Sequence, residues 1–240
     1  MLIPIHRFLG DKVKGIIHVG AHAAEELDYY LSNGYKQVIW IEANPAKWSH
    51  LEDIVKKHSE MKLGKFAASS RTGGRACLKL SGISSSLLEM GSHKEKYPGS
   101  ESTETAEVDL ISTDDWIEYN IKDRINFNVL NIDVQGYELE VLKGLKKQLK
   151  FVSAIYTEIN YEYLYKEGAL VDEIDEFLTT YGFRRVATEA VKGMGWGEGL
   201  YIRGKYLQAK TQVKFFTYKL STLPKNPLTF ISKIFNQLSI

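Results

Sequence analysis

GIIHVGAH at residues 15–22 and QVIWIEANP at 37–45 together spell strand, turn, helix and strand again. Residues 15–19 are a short apolar run that breaks into Gly20, Ala21 and His22, and a helical pattern follows over 25–31. Residues 37–42 are again β-branched and aromatic, closed by Asn44 and Pro45, after which Trp48, Leu51, Ile54 and Val55 recur at helical spacing over 46–58. This βαβα alternation predicts an α/β fold, a parallel sheet with helices on both faces. Ligands on such a sheet bind beyond the C-terminal strand ends.

The same alternation extends down the chain. Residues 61–68 read as a third strand, and RTGGR at 71–75 as a hairpin turn into a strand over 76–80. Residues 81–105, rich in Ser, Gly, Glu and Lys with Pro98, have no period and read as a long, partly mobile loop of the lid kind. An edge strand is expected at 108–112, a short helix at 114–119, and a buried strand at 127–132 that ends at Asp133. Leu139, Leu142, Leu145 and Leu149 then mark one face of a helix over 137–149. A strand at 152–159, a helix at 170–181 stopped by Gly182, and an antiparallel pair at 184–188 and 199–202 complete the pattern. No internal repeat is present, which excludes solenoids and propellers.

The length of 240 residues suits one such domain with a tail, and 44% hydrophobic with 25% charged residues fits a packed globular chain. Lys plus Arg total 31 against 30 Asp plus Glu, so no whole-molecule field gathers nucleic acid or an anionic membrane. Cys77 is the only cysteine, which excludes an intramolecular disulfide and a multi-thiolate metal site and suits a reducing compartment. Residues 1–10 lack the apolar core and cleavage site of a signal peptide, and no stretch is apolar for the eighteen or so residues of a membrane span. A soluble, cytoplasmic protein is expected.

At the first strand end Gly20 lets the backbone turn sharply and approach a ligand with no Cβ in the way. A dinucleotide fingerprint needs G-x-G-x-x-G to seat pyrophosphate on the following helix, and here His22, Ala23 and Ala24 replace the later glycines. This argues against NAD and FAD and for a phosphate-free nucleoside cofactor. Glu42, at the second strand end, stands where a carboxylate accepts both hydrogens of a ribose diol. Asp133 ends a central strand beside the same crevice, with a helix N-cap as its structural alternative. His18 and His22, four apart along a strand and turn, do not converge as a metal pair would on a helix. Asp133 and Glu158 are oxygen ligands of the kind Mg²⁺ takes, an arrangement ranked below a metal-free site.

HVGAH (18–22), IEANP (41–45), AASS (67–70), SSSLL (84–88) and IDVQGYELEVLKG (132–144) resemble, in the same order, the motifs of the FkbM family of S-adenosylmethionine-dependent methyltransferases. The resemblance covers roughly residues 15–203. It implies a Rossmann-like class I methyltransferase fold: a mostly parallel seven-stranded sheet with an antiparallel last strand and helices on both faces. It also implies S-adenosylmethionine as cofactor, bound by His18, Gly20, Ala21, His22, Glu42, Ala43, Ala67, Ala68, Ser69 and Asp133. Gly20, Ala21 and His22 would meet its methionine part, Glu42 the ribose, and residues 67–69 the adenine edge, while Asp133 would face the methyl group. Gln135 stands where the family usually has Glu, Asn131 where it often has Lys, and His18 and His22 replace the more usual Asp and Asn.

Methyl transfer is an in-line displacement, so the enzyme's main task is to position the acceptor. An alcohol also needs a base within hydrogen-bond reach; Asp133 is the first candidate, with His22 and Glu158 behind it. The family's acceptors make a glycan or other small hydroxylated molecule the expected partner, and nucleic acid is not expected. Two other readings remain: a non-catalytic binding domain, which Gln135 favours, and an N-methyltransferase acting on a macromolecule, disfavoured because an Asn/Asp-Pro-Pro-Tyr motif and a basic stripe are absent. The methyltransferase domain is expected over residues 1–204. Residues 205–240 form an extension enriched in Lys and aromatics, which would dock on the domain or pair subunits in a homodimer, or, less favoured, lie on a membrane surface.

Overall fold

The computed structural model describes residues 5–97, 103–191 and 193–206, and the backbone of Lys214–Tyr218. In chain order the elements are α1 (His6–Leu9), β1 (Ile16–Val19), α2 (Leu27–Ser32), β2 (Val38–Glu42), α3 (Pro45–Lys57) and β3 (Lys62–Lys65). There follow β4 (Ala67–Ser69), β5 (Arg75–Lys79), α4 (His93–Lys96), β6 (Thr105–Ser112), α5 (Thr113–Asn120) and β7 (Val129–Ile132). The last are α6 (Glu138–Lys143), β8 (Ala154–Asn160), α7 (Val171–Thr180), β9 (Phe183–Val191), β10 (Trp196–Arg203) and β11 (Lys214–Tyr218).

The main sheet runs β11-β9-β10-β8-β7-β1-β2-β3. Strands β3, β2, β1, β7 and β8 pair in parallel, and β10 is antiparallel to both β8 and β9. Seven strands, β3 through β9, therefore form the Rossmann-like sheet with one antiparallel strand. The eighth, β11, adds in parallel to the edge strand β9. It lies within the extension that begins at residue 205; the rest of that extension from residue 207 is outside the described residues.

Strand pleating sends alternate side chains to opposite faces. Ile17, Val19, Ile39, Ile41, Leu130 and Ile132 point to one face, where Ile117 of α5, Val141 and Leu142 of α6 and Ile174 and Leu178 of α7 cover them. Ile16, Val38, Trp40, Val129 and Ala154 point to the other, against Leu9 of α1, Tyr30 of α2 and Leu51 and Ile54 of α3. Helix α3 starts sharply because the Asn44 side chain accepts from the N–H of Ala46 at 3.0 Å and Pro45 occupies the first turn.

Four expectations need correction. The strand predicted at 61–68 is two: it leaves the main sheet at Phe66, and β4 joins a separate sheet ordered β4-β6-β5. The turn at 71–75 is real, with Gly73 and Gly74 at φ 108° and 86°, but it does not close a hairpin between its flanking strands. β6 inserts between them, parallel to β4 and antiparallel to β5, so the segment predicted as an edge strand is the centre of this small sheet. Strand order is set by non-local pairing, which local turn chemistry does not encode. Within the loop predicted over 81–105, the described part carries α4 and a bridge from Met90 to Tyr165, while residues 98–102 lie outside the described residues. No described helix is long and apolar enough to cross a membrane.

Candidate functional site

Parallel pairing brings the C-terminal ends of β1, β2, β7 and β8 to one edge of the sheet. There Gly20 leaves β1 at φ 85°, and a Cβ on it would fall 1.8 Å from the carbonyl oxygen of Asp133. Only glycine permits that approach between the ends of β1 and β7. The turn continues through His22 and Ala24 at φ 45° and 56°, which no helical start requires.

Glu42, the last residue of β2, fastens this turn. Its Oε2 accepts the N–H of His22 at 2.6 Å and its Oε1 that of Asn44 at 2.6 Å. Burial pushes its carboxyl above the usual range, opposed by these two backbone donors. The His22 ring turns to Glu25, with Nδ1 2.6 Å from Oε1. Ala43 packs on the small-sheet cluster around Ala67, and the buried Ala67, Ala68 and Ser69 run on from the end of β3 next to Glu42. The Ser69 hydroxyl lies 3.4 Å from that of Tyr137.

His18 is placed differently. Its ring is 2% exposed beneath the crevice, packed on Trp40 at 5.1 Å between ring centroids, with Nδ1 3.2 Å from the Tyr30 hydroxyl. Asn131 donates to that hydroxyl at 2.9 Å. Burial lowers the His18 pKa and favours the neutral ring. His18, Asn131 and Tyr30 of α2 thus form a buried polar cluster, and Glu26 Oε2, in the turn before α2, lies 3.9 Å from His18 Nδ1.

Asp133 lies open to solvent where β7 meets the crevice, and its carboxylate does not cap α6. The N–H groups of Val134 and Gly136 go instead to Oε1 of Glu138, at 3.1 Å each. Asp133 Oδ1 accepts from the Gln135 side-chain nitrogen at 2.6 Å, and the same nitrogen donates to Glu158 Oε2 at 3.0 Å. Glu158, 5% exposed on β8, also accepts from Asn160 at 3.2 Å, and Glu198 faces it across the β8–β10 pair.

Four carboxyls therefore crowd one end of the sheet. Asp133 is open to solvent, and the protein around it desolvates its carboxyl. That desolvation and its acidic neighbours raise it to about 6, against the Gln135 hydrogen bond. Glu138, fully buried with Oε2 unpartnered, is raised to about 7, chiefly by burial. Burial and the neighbouring carboxylates push Glu158 and Glu198 well up.

Beside these groups stands an aromatic wall. The rings of Tyr97 and Tyr165 lie 4.8 and 5.2 Å from that of His93, and the Trp196 indole donates to the Tyr97 hydroxyl at 3.0 Å. Trp196 pairs with Asn160 two residues beyond Glu158, and the Tyr165 hydroxyl donates to Gln135 Oε1 at 2.8 Å.

Of the residues singled out in the sequence, Gly20, Ala21, His22, Glu42, Asp133 and Glu158 meet at this edge, residues 67–69 flank it, and His18 lies below it. The sequence reading missed Glu138, Glu198, Tyr165 and the aromatic wall. Glu138 was visible inside the 132–144 motif, but Glu198 needed the β8–β10 register. Among the described residues no group of three or more His, Cys, Asp or Glu is arranged to hold a metal ion. Between Asp133 and Glu158, where a divalent ion would have to sit, the structure has an N–H donor, so this pair does not fit one. The turn at Gly20, the absence of a phosphate-cradling glycine series and the Glu42 carboxylate do fit a nucleoside cofactor without a pyrophosphate.

No curated protein matches the chain. Its fold resembles the crystal structure of methyltransferase FkbM from Methylobacillus flagellatus, with 14% identity and a TM-score of 0.52 over 79% of this chain. The match spans 43% of that protein's length. Weaker likenesses are the METTL16 methyltransferase domain (11% identity, TM-score 0.47, 85% of this chain and 65% of that one). A Streptococcus agalactiae protein of the NADB-Rossmann superfamily gives 12% identity and a TM-score of 0.46, over 99% of this chain and 81% of that one. The methyltransferase FkbM domain profile matches residues 18–185, more than half of the chain and every motif of the crevice. The chain belongs to the FkbM methyltransferase family, a family of S-adenosylmethionine-dependent enzymes.

Proposed function

We propose that this protein transfers a methyl group from S-adenosylmethionine to a hydroxyl of a sugar, glycan or other small hydroxylated acceptor. The observation that carries this reading is Asp133, a carboxylate open to the crevice with an elevated pKa of about 6, on the strand beside the Gly20 turn. When bound, S-adenosylmethionine supplies an electrophilic methyl group on a sulfonium. Gly20, Ala21 and His22 would hold its methionine part, Glu42 its ribose diol, and Ala43, Ala67, Ala68 and Ser69 the adenine edge. Asp133 accepts the proton of the acceptor hydroxyl, and its pKa suits a base that works near neutrality. His22 and Glu158 are the secondary candidates for that proton.

Two features of the crevice support this acceptor class. Carboxylates accept hydrogen bonds from hydroxyls, and the half-buried rings of Tyr97 and Trp196 offer flat apolar surface to the C–H face of a sugar ring. The test is calorimetric titration with S-adenosylmethionine, followed by a mass-spectrometric screen of hydroxylated acceptors for a gain of one methyl group. Cofactor binding with methylation only of amines would overturn the hydroxyl assignment.

A further inference from the structure

We propose that Gln135 is the positioning residue of this site: one side-chain amide ties Asp133 to Glu158, and Tyr165 sets which way that amide faces. The proposal rests on the reading of Asp133 as the proton acceptor.

The stoichiometry of the contact supports it. A primary amide nitrogen carries two hydrogens, and two carboxylate oxygens lie in reach of it, Asp133 Oδ1 at 2.6 Å and Glu158 Oε2 at 3.0 Å. The opposite orientation of the amide would set a carbonyl oxygen against both carboxylates. The Tyr165 hydroxyl, donating to Oε1 at 2.8 Å, holds the favourable one. An ionised glutamate at this position would have no hydrogen to give and would bring in a further negative charge.

The backbone is shaped to present this side chain. Gln135 and Gly136 stand at φ 57° and 97°, and a Cβ on Gly136 would fall 2.9 Å from Tyr165 Cβ. The Ser86 hydroxyl donates to the Gln135 carbonyl at 2.8 Å. The segment after Ser86 is in turn bound to the Tyr165 segment, through Lys166 N–H to Glu89 O and Gly91 N–H to Leu164 O, each at 2.7 Å. Gln135 is thus gripped by its carbonyl and by its side chain, from two segments that hold each other.

The tie has a chemical consequence. Asp133 faces Glu138 from α6, Glu158 from β8, and His22, Glu25 and Glu26 from the turn before α2; Glu158 also faces Glu198 from β10. Against this crowd of carboxyls the Gln135 amide is a neutral donor that favours the ionised form of Asp133. It leaves Asp133 able to take a proton near neutrality, while burial and the neighbouring carboxylates push Glu158 well up.

The experiment is a pH titration of protein labelled with ¹³C at Asp and Glu side-chain carboxyls, with Asp133→Asn and Glu158→Gln assigning the two signals. Wild type is compared with Gln135→Glu, Gln135→Met and Tyr165→Phe, and S-adenosylmethionine binding is measured calorimetrically on each. The Asp133 midpoint should rise by about one pH unit or more in Gln135→Glu, roughly tenfold tighter proton binding, and by less in Gln135→Met and Tyr165→Phe. Should Gln135→Glu fail to fold, the other two variants decide. An Asp133 midpoint equal to wild type in folded variants overturns the tie, even where the cofactor binds. Shifted midpoints in a protein that binds no S-adenosylmethionine would keep the tie and remove the methyltransfer reading.

Discussion

Replacing Glu42 by Gln changes the cofactor end of the crevice with little change of shape. In the folded chain Glu42 accepts two backbone N–H groups, from His22 and Asn44, at 2.6 Å each, one on each oxygen. Gln keeps one acceptor oxygen and puts an NH₂ in the other place. Whichever way the amide turns, one backbone N–H then meets a donor. Losing one bond to a charged acceptor and leaving that N–H unpaired costs about 1–3 kcal/mol of stability. The same exchange takes away a charged acceptor for the ribose diol, so affinity for S-adenosylmethionine should fall by roughly 1.5–3 kcal/mol, about tenfold to more than a hundredfold. Urea denaturation reads the first quantity and calorimetric titration the second, both above neutral pH because burial raises the Glu42 carboxyl. A folded variant with wild-type cofactor affinity would refute the assignment of Glu42 to the ribose. Unchanged stability as well would contradict the two backbone contacts themselves.

Asp133→Asn should bind S-adenosylmethionine normally yet lose turnover by roughly 10²–10⁴-fold, and near-wild-type single-turnover methylation would remove it as the base. Gly20→Ala places a Cβ 1.8 Å from a backbone oxygen at φ 85°, so it should destabilise the fold by about 3 kcal/mol or more; a melting temperature within a degree or so of wild type would show that the β1 and β7 ends do not approach as described. Folding raises Asp133 from 3.8 to about 6 and Glu138 from 4.5 to about 7, so the folded state binds these protons more tightly. Their stabilising contribution is complete below the unfolded values and is lost as pH rises through the folded ones. The ligand-free protein should therefore lose stability across that window, with a shallower loss in Asp133→Asn, and equal slopes for the two proteins would contradict the raised Asp133.

What was legible in the sequence is what local chemistry demands. The apolar runs around Ile17, Ile39 and Leu130, ending at Gly20, Glu42 and Asp133, located strands whose parallel order follows from right-handed crossovers. Asn44 and Pro45 announced α3 through cap chemistry that the structure reproduces. The separate sheet β4-β6-β5 was not legible, because Gly73 and Gly74 specify a tight turn without specifying which strand lies beside which. His18 was read as a cofactor residue from its place in a motif. Strand alternation sends its side chain to the face of Ile16 and Trp40, opposite Ile17 and Val19.

The crevice shows the same division at finer scale. Asp133 ends a strand and Glu158 lies near the end of the next, so topology alone brings them near each other. Their side chains are joined through Gln135, whose amide acquires its role only when Tyr165, thirty residues on, orients it. Glu198 reaches the group from an antiparallel strand through a register that one residue of slippage would reverse. A substitution such as Gln for Glu at residue 135, read alone, looks like the loss of an acid. Set among Asp133, Glu138, Glu158 and Glu198, it is a neutral donor that reaches two carboxyls at once, Asp133 and Glu158.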